Sequence, residues 1–231
     1  MPVTIYQGND YSPAPADINI VIDVIRAFTV AHYAFIGGAK KILLVRTTKE
    51  AFRLKKTYPD YLLTGEVNGV GIKGFDLDNS PKRAGGHDMA GKTLIQKTTN
   101  GVNAALHALQ AEHILVTGFS NAKTTAEYAA ALSRRRQKEP VINIIASHPT
   151  GDDDMACAEY IKDIIEGKQT IAPAEAVMRI KNSHVAEKFF DRENPLFDPD
   201  DITYCIKEIP GHFVMKINPE KEVPMIERVI I

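Results

Sequence analysis

The fold of this 231-residue chain is decided by residues 18–48, which read INIVIDVIRAFTVAHYAFIGGAKKILLVRTT. An apolar, β-branched run over 18–22 predicts a strand, and the small and apolar stretch over 27–37 predicts a helix. A second strand is predicted over 41–45. This order of strand, helix and strand is typical of a βαβ unit in a sheet covered on both faces.

The same alternation continues to residue 166. The predicted strands are 94–97, 114–116 and 141–146, and the predicted helices are 47–57, 102–110, 122–135 and 153–166. The sequence therefore predicts an α/β fold with three layers, α/β/α, around a largely parallel or mixed sheet.

Beyond residue 166 the pattern is weaker. Two helical stretches are predicted at 174–179 and 182–191. Prolines at 210, 219 and 224 argue against a long helix or a central strand, so the tail is predicted to form loops and edge structure.

The whole chain, residues 1–231, is predicted to form a single domain. The order of elements over 19–48 recurs over 94–120, which is compatible with an internal duplication of βαβ units and sub-halves at about 1–90 and 91–231. Convergence of two βαβ units explains the same echo equally well, because their periodicity is generic.

Composition restricts the partners. The net charge of −1 argues against broad attraction to nucleic acid or to an anionic membrane. The basic run over 134–138 is typical of a solvated helix end, and no apolar stretch approaches the ~20 residues of a membrane span. Cys157 and Cys205 lie far apart, which argues against a disulfide framework or zinc site and favours the cytoplasm. The oligomeric state is not given by the sequence, and a homodimer is left open.

Several short polar turns follow the predicted strands. Such turns present free backbone N–H groups and hydroxyls, which bind anions, although each could also be an ordinary helix cap. The residues of interest are Arg26 after the first strand, Thr98, Thr99, Asn100 and Gly101 after the strand over 94–97, and Ser120 and Asn121 after the next strand.

Carboxylates also occur at strand ends and at one helix start. Asp23 ends the first strand, where open α/β sheets bind ligands, and Glu66 ends another. Mg²⁺ prefers one or two carboxylates with water and substrate oxygens. Asp153 and Asp154 are a second source of metal-binding carboxylates, or simply acidic residues that interact with the helix dipole. His148 is a candidate proton donor.

The loop over 76–81, DLDNSP, contributes Asn79 and Ser80, and otherwise reads as a plain turn. Residues 86–93 match the phosphate-binding pattern GxxxxGK[ST], but a loop precedes them and a strand is predicted to follow. A nucleotide loop needs the opposite order, strand and then helix. Patterns of other phosphatases are missing as well, since an aspartyl nucleophile motif would need Asp where Ile25 stands.

Four segments in order, IDVIRAFT, GEVNGVGIKGFDLDNSP, GKTLIQKTTNGVNA and GDDDMACA, resemble the magnesium-dependent 2-phosphosulfolactate phosphatases over about residues 18–165. The resemblance implies hydrolysis of (R)-2-phospho-3-sulfolactate to sulfolactate and phosphate with Mg²⁺, of the type that serves coenzyme M biosynthesis. It implies a small anionic phosphoester as substrate.

The resemblance also implies roles for individual residues. The expected catalytic residues are Asp23, Arg26, Glu66, Asn79, Ser80 and Asn100. The expected substrate-binding residues are Lys73, Thr98, Thr99, Gly101, Ser120 and Asn121, and the expected metal ligands are Asp23, Asp153 and Asp154. Two rival hypotheses stay open at this point: a P-loop ATPase, and an anion-binding module without turnover. The attacking group is not given by the sequence.

Overall fold

The computed structural model describes residues 2–10, 12–134 and 139–231, so most of the basic run over 134–138 lies outside the described residues. The strands in this part of the chain are β1 Val3–Gln7, β2 Ile18–Ile22, β3 Lys41–Leu44, β4 Leu62–Val67, β5 Val70–Gly71, β6 Thr93–Lys97, β7 His113–Thr117, β8 Ile142–Ala146, β9 Phe213–Asn218 and β10 Met225–Ile230. The α-helices are α1 Ala27–Ile36, α2 Thr48–Thr57, α3 Pro81–Gly86, α4 Gly101–His107, α5 Ala122–Arg134, α6 Asp152–Ile165, α7 Pro173–Asn182, α8 His184–Glu187 and α9 Asp200–Cys205.

These strands form one mixed sheet in the order β1-β8-β2-β7-β9-β10-β3-β6-β4-β5. Two parallel sets, β1-β8-β2-β7 and β3-β6-β4, flank the antiparallel pair β9 and β10. Every residue of β2, β6 and β8 is buried, as expected for apolar strands covered on both faces. The predicted α/β class with a mixed sheet is confirmed.

The tail does not have the predicted loop and edge structure. Strand β9 pairs with β7, and β10 pairs with β3, so the hairpin lies in the centre of the sheet. Pro210, Pro219 and Pro224 flank the two strands and interrupt neither of them. The carbonyl oxygen of Pro224 even accepts a hydrogen bond from the backbone of Leu44 at 2.9 Å.

Helix α1 is enclosed by the sheet. Nine of its ten residues are buried, because its sequence is apolar or small on every side. A flat sheet would separate β2 from β6 by about 24 Å, five steps of about 4.8 Å. Yet the side chain of Gln96 in β6 donates a hydrogen bond to the Ala27 carbonyl at 2.9 Å. The sheet therefore curls around α1 and brings the ends of β2 and β6 together.

Helices cover both faces of the curled sheet. The apolar residues of α1 and α4 pack into one cluster on the inner face, whereas α5, α6 and α7 pack against β1, β2 and β8. Each parallel set contains strands from both 1–90 and 91–231, so the proposed sub-halves interleave in the sheet. Among the described residues, no helix is both long and apolar enough to cross a membrane.

Two local predictions are wrong. Residues 81–86, predicted as loop, form α3, because Ser80 accepts a hydrogen bond from the Arg83 backbone and Pro81 occupies the first turn. The helix predicted over 182–191 is limited to α8, after which Phe189 is buried against the ring of Phe197 at 5.2 Å.

Buried His32 predicts a pH-dependent stability. It lies in α1, its Nδ1 is 2.8 Å from the Ser120 hydroxyl oxygen, and burial lowers its pKa from 6.5 to about 4. Below pH 6.5 the unfolded chain takes up a proton at His32 that the folded chain does not take up until about pH 4, so the contribution of His32 to stability falls as the pH falls. The raised pKa values of Asp23, Asp153 and Asp154 act in the opposite direction, so the effect of His32 is measured as the difference between wild type and His32→Gln. We expect this difference in the free energy of urea unfolding to change by about 2 kcal/mol between pH 7 and pH 5. The variant His32→Gln should lose this part of the pH dependence; an unchanged pH dependence would contradict the prediction.

Candidate active site

A cavity of about 380 Å³ lies at the carboxyl ends of β2, β4, β6 and β8. Segments 148–150 and 185–189 also contribute to its wall. Its lining includes seven residues singled out from the sequence: Asp23, Arg26, Glu66, Asn79, Thr99, Asn100 and His148. The curl of the sheet thus brings residues of both parallel sets to one place.

Asp23 joins the turn after β2 to the turn after β6. Its Oδ1 accepts a hydrogen bond from the Ala27 backbone at 2.8 Å, and its Oδ2 accepts one from the Gly101 backbone at 2.9 Å. A Cβ at Gly101 would lie 2.5 Å from Asp23 Oδ2, so this close approach requires glycine. Burial raises the pKa of Asp23 to about 8, and the nearby charges of Asp154 and Glu66 raise it as well.

Glu66 holds the other side of the same turn. Its carboxylate accepts hydrogen bonds from the backbone of Thr99, from the Thr99 hydroxyl at 3.0 Å and from the backbone of Gly69. The side chain is buried but still lines the cavity. Asp23 and Glu66 therefore form a carboxylate wall held by backbone N–H groups.

Asp153 and Asp154 lie behind this wall, at the start of α6. Asp154 accepts hydrogen bonds from the backbones of Val24 and His148 and from the Ser147 hydroxyl, and neither carboxylate lines the cavity. Burial raises the pKa of both groups, with further contributions from Asp23 at Asp153 and from Asp153 at Asp154. Carboxylates that raise one another's pKa in this way favour a bound cation.

Arg26 provides positive charge in the same cavity. Its guanidinium donates to Asp201 Oδ2 at 2.8 Å and to the Gly69 carbonyl at 3.0 Å, and lies 5.0 Å from the Phe189 ring centroid. The ion pair is buried, with Arg26 5% and Asp201 1% exposed. The hydroxyl of Ser80 donates to the other Asp201 oxygen at 2.5 Å. Ser80 thus supports Asp201 and does not line the cavity.

The two asparagines of the lining differ in their contacts. Asn100 Oδ1 accepts a hydrogen bond from the Asn9 side chain at 2.5 Å. Asn79 Oδ1 is buried and has no hydrogen-bond partner among the described residues. A buried polar atom without a partner at the wall of a cavity indicates a place for a ligand.

Five predicted substrate-binding residues do not line the cavity. Lys73 is exposed in the loop before α3, the Thr98 hydroxyl accepts a hydrogen bond from the Val102 backbone, and Gly101 contacts Asp23. Ser120 and Asn121 are fully buried, where they bond to His32 and to the Gly118 backbone, respectively. Their polar groups therefore serve the fold, because α1 and not a ligand occupies the space beside them.

Some residues that line the cavity, and the carboxylate that pairs with Arg26, are not predicted from the sequence. Lys188, Phe189 and Asn68 line the cavity, and Asp201 neutralises Arg26. The DPDD segment at 198–201, a typical helix start, was a usable signal for a buried carboxylate, whereas nothing in the sequence around Lys188 indicates its position. His148 does line the cavity, and burial lowers its pKa.

The donor set can be tested for Mg²⁺. Among the described residues, no group of three or more His, Cys, Asp or Glu side chains could hold a metal ion. Asp23, Glu66 and the unpartnered Asn79 Oδ1, however, share one cavity. Two carboxylates and an amide oxygen, completed by water and substrate oxygens, form a set that suits Mg²⁺. The residues present therefore fit this ion.

The nucleotide-loop pattern at 86–93 has the wrong context in the structure. Gly86 ends α3, and Thr93 begins β6, so no helix N-terminus faces the loop. Lys92 is exposed and does not line the cavity. The ATPase hypothesis is not favoured by this geometry.

We expect Lys92→Ala to leave kcat/KM for phosphate release within about twofold of wild type, because surface substitutions usually change free energies by less than about 0.5 kcal/mol. The measurement is a phosphate-release assay beside an ATP-binding titration. Tight ATP binding that disappears in the variant would support a nucleotide-binding loop at residues 86–93.

Comparison with known proteins identifies the family of this chain. Residues 5–218 match the family described as 2-phosphosulpholactate phosphatase. A protein of Bacillus subtilis (strain 168) named probable 2-phosphosulfolactate phosphatase is 70% identical over 231 residues, with all of both chains covered. A protein of the same name from Deinococcus radiodurans is 43% identical over 118 residues, 51% of this chain and 49% of the relative. This chain belongs to the 2-phosphosulpholactate phosphatase family and is a phosphoric monoester hydrolase.

Proposed function

We propose that the enzyme hydrolyses (R)-2-phospho-3-sulfolactate to 3-sulfolactate and inorganic phosphate with the help of Mg²⁺. The observation that carries the proposal is one cavity lined both by two carboxylates, Asp23 and Glu66, and by two cations, Arg26 and Lys188. A substrate with phosphate, carboxylate and sulfonate groups needs several donors and a cation. The name of the Bacillus subtilis relative supports the choice of substrate.

Asp23, Glu66 and Asn79 Oδ1 are the residues that would hold Mg²⁺. The ion would polarise the phosphoryl group and offset the negative charge that develops during transfer. Asp153 and Asp154, predicted as ligands from the sequence, would support the metal site indirectly, because they fix the backbone at Val24 and the start of α6.

Arg26 is placed to bind substrate oxygens. Two of its five N–H donors are engaged with Asp201 and Gly69, which leaves three for a ligand. In the overall reaction one water is consumed: the bond between phosphorus and the C2 oxygen breaks, that oxygen takes up a proton to become the hydroxyl of 3-sulfolactate, and the oxygen of the water ends on the released phosphate. Two free, buried cysteines support our placement of the enzyme in the cytoplasm.

The test is release of phosphate by the purified enzyme from 2-phospho-3-sulfolactate, 2-phospholactate and phosphoglycerates, each with and without Mg²⁺. We expect the sulfonated ester to be the best substrate, and we expect EDTA followed by desalting to abolish turnover until Mg²⁺ is added. Absence of phosphate release from every ester contradicts the proposed function and leaves an anion-binding module. Full activity after EDTA treatment contradicts the metal requirement alone.

A further inference from the structure

Lys188 has an unusual position for a lysine. It follows α8, is partly buried and lines the cavity, with Nζ 4.9 Å from the centroid of the Phe197 ring and 5.8 Å from that of Phe189. Within the described part of the chain, no carboxylate lies within ion-pair distance of Nζ. Other cations of this region are paired, Arg26 with Asp201 and Lys82 with Asp198 and Asp200. Lys188 is thus a cation at the cavity without an anionic partner.

The neighbourhood of Lys188 favours an incoming anion. Burial lowers its pKa, and so does the charge of Arg26, whereas the more distant charges of Glu66, Asp153 and Asp23 raise it without forming an ion pair. The two aromatic rings, 5.2 Å apart, lie beside the ammonium group, and the lysine is partly buried. In such a poorly hydrated place an ion pair with a ligand is stronger than at an exposed lysine. An anion between Arg26 and Lys188 would also relieve the repulsion between the two cations.

The chemistry of the substrate identifies which anion this is. With the phosphoryl group bound beside the metal that Asp23, Glu66 and Asn79 would hold, the two other acidic groups of the substrate are left for Arg26 and Lys188. An ammonium is a compact charge with three donors, which suits the three oxygens of a sulfonate, whereas the guanidinium fork of Arg26 suits a planar carboxylate. We propose that Lys188 binds the sulfonate of the substrate and thereby sets the preference for sulfonated phosphoesters. This inference rests on the proposed function.

The test compares Lys188→Met with the control Lys181→Met, an exposed lysine of α7 that does not line the cavity. We expect Lys188→Met to lower kcat/KM for 2-phospho-3-sulfolactate roughly 10- to 100-fold, mainly through KM, as for a lost hydrogen bond to a charged group. The value for 2-phospholactate, which lacks the sulfonate, should change much less. Lys188→Arg should restore part of the loss, and Lys181→Met should match wild type for both esters.

A binding measurement separates this inference from the proposed function. By calorimetry, Lys188→Met should weaken binding of 3-sulfolactate by the same factor and leave binding of lactate unchanged. Equal losses for sulfonated and unsulfonated ligands, or no loss for either, overturn the role of Lys188 while phosphate release by wild type still supports the function. If wild type releases no phosphate but binds 3-sulfolactate in a Lys188-dependent way, the function fails and the sulfonate site stands.

Discussion

Replacement of Asp23 by Asn should reduce kcat for phosphate release by at least about a hundredfold, because loss of one preorganised electrostatic contact to the transition state costs roughly 10²–10³ in kcat. The change removes a carboxylate from the cavity wall. It also puts an amide nitrogen, which cannot accept hydrogen bonds, next to the backbone N–H of either Ala27 or Gly101. Phosphate release with saturating Mg²⁺ and substrate measures the effect.

The matched control is Asp152→Asn. Asp152 is an aspartate of the first turn of α6, but it is 47% exposed, pairs with Arg179 and does not line the cavity. Near-wild-type turnover is expected for this variant, and circular dichroism should show both variants folded. If a folded Asp23→Asn enzyme turned over like the control, Asp23 would have no place in the catalytic site.

Replacement of Asp201 by Asn should destabilise the fold by about 3–5 kcal/mol, since it leaves the buried Arg26 charge without its partner. The side chain of Asp201 accepts hydrogen bonds from Arg26, the Ser80 hydroxyl and the Lys82 backbone, so its loss affects three elements at once. The free energy of unfolding in urea is the quantity to measure.

Asp200→Asn is the matched control one residue earlier in α9. Its carboxylate is 62% exposed and pairs only with the exposed Lys82 among the described residues, so the urea midpoint should stay at the wild-type value. If both variants unfolded at the same urea concentration as wild type, the ion pair between Arg26 and Asp201 would not support the fold.

The sequence predicts most elements between residues 18 and 166 close to their observed bounds, because they have a clear hydrophobic period or an apolar run. It does not predict the central place of β9 and β10. The prolines beside these strands look like strand breakers, and no local pattern tells which strands a hairpin will separate. Helix α3 is also missed. Ser80 and Pro81 are typical of a helix start, but Gly85 and Gly86, which follow closely, argue against a helix.

The site is predictable where its residues follow strands. The carboxyl ends of β2 and β6 meet, and Asp23, Thr99 and Asn100 follow these two strands. Side chains of these types can bind anions or Mg²⁺. Lys188 and Asp201 belong to the region after residue 166, where no periodic sequence pattern predicts which way their side chains point. Their importance depends on the curl of the sheet and on pairing with Arg26, which are properties of the three-dimensional structure alone.

The central hairpin is synthesised after all the strands that it connects. Strands β7 and β3, which β9 and β10 connect, are made long before residues 213–230 leave the ribosome. Until then β7 and β3 lack the partners that they have in the finished sheet, and an unpaired strand edge invites pairing with other chains. Asp23 and Gly101 follow strands of different sets, so the hairpin that completes the sheet also completes the frame of the active site.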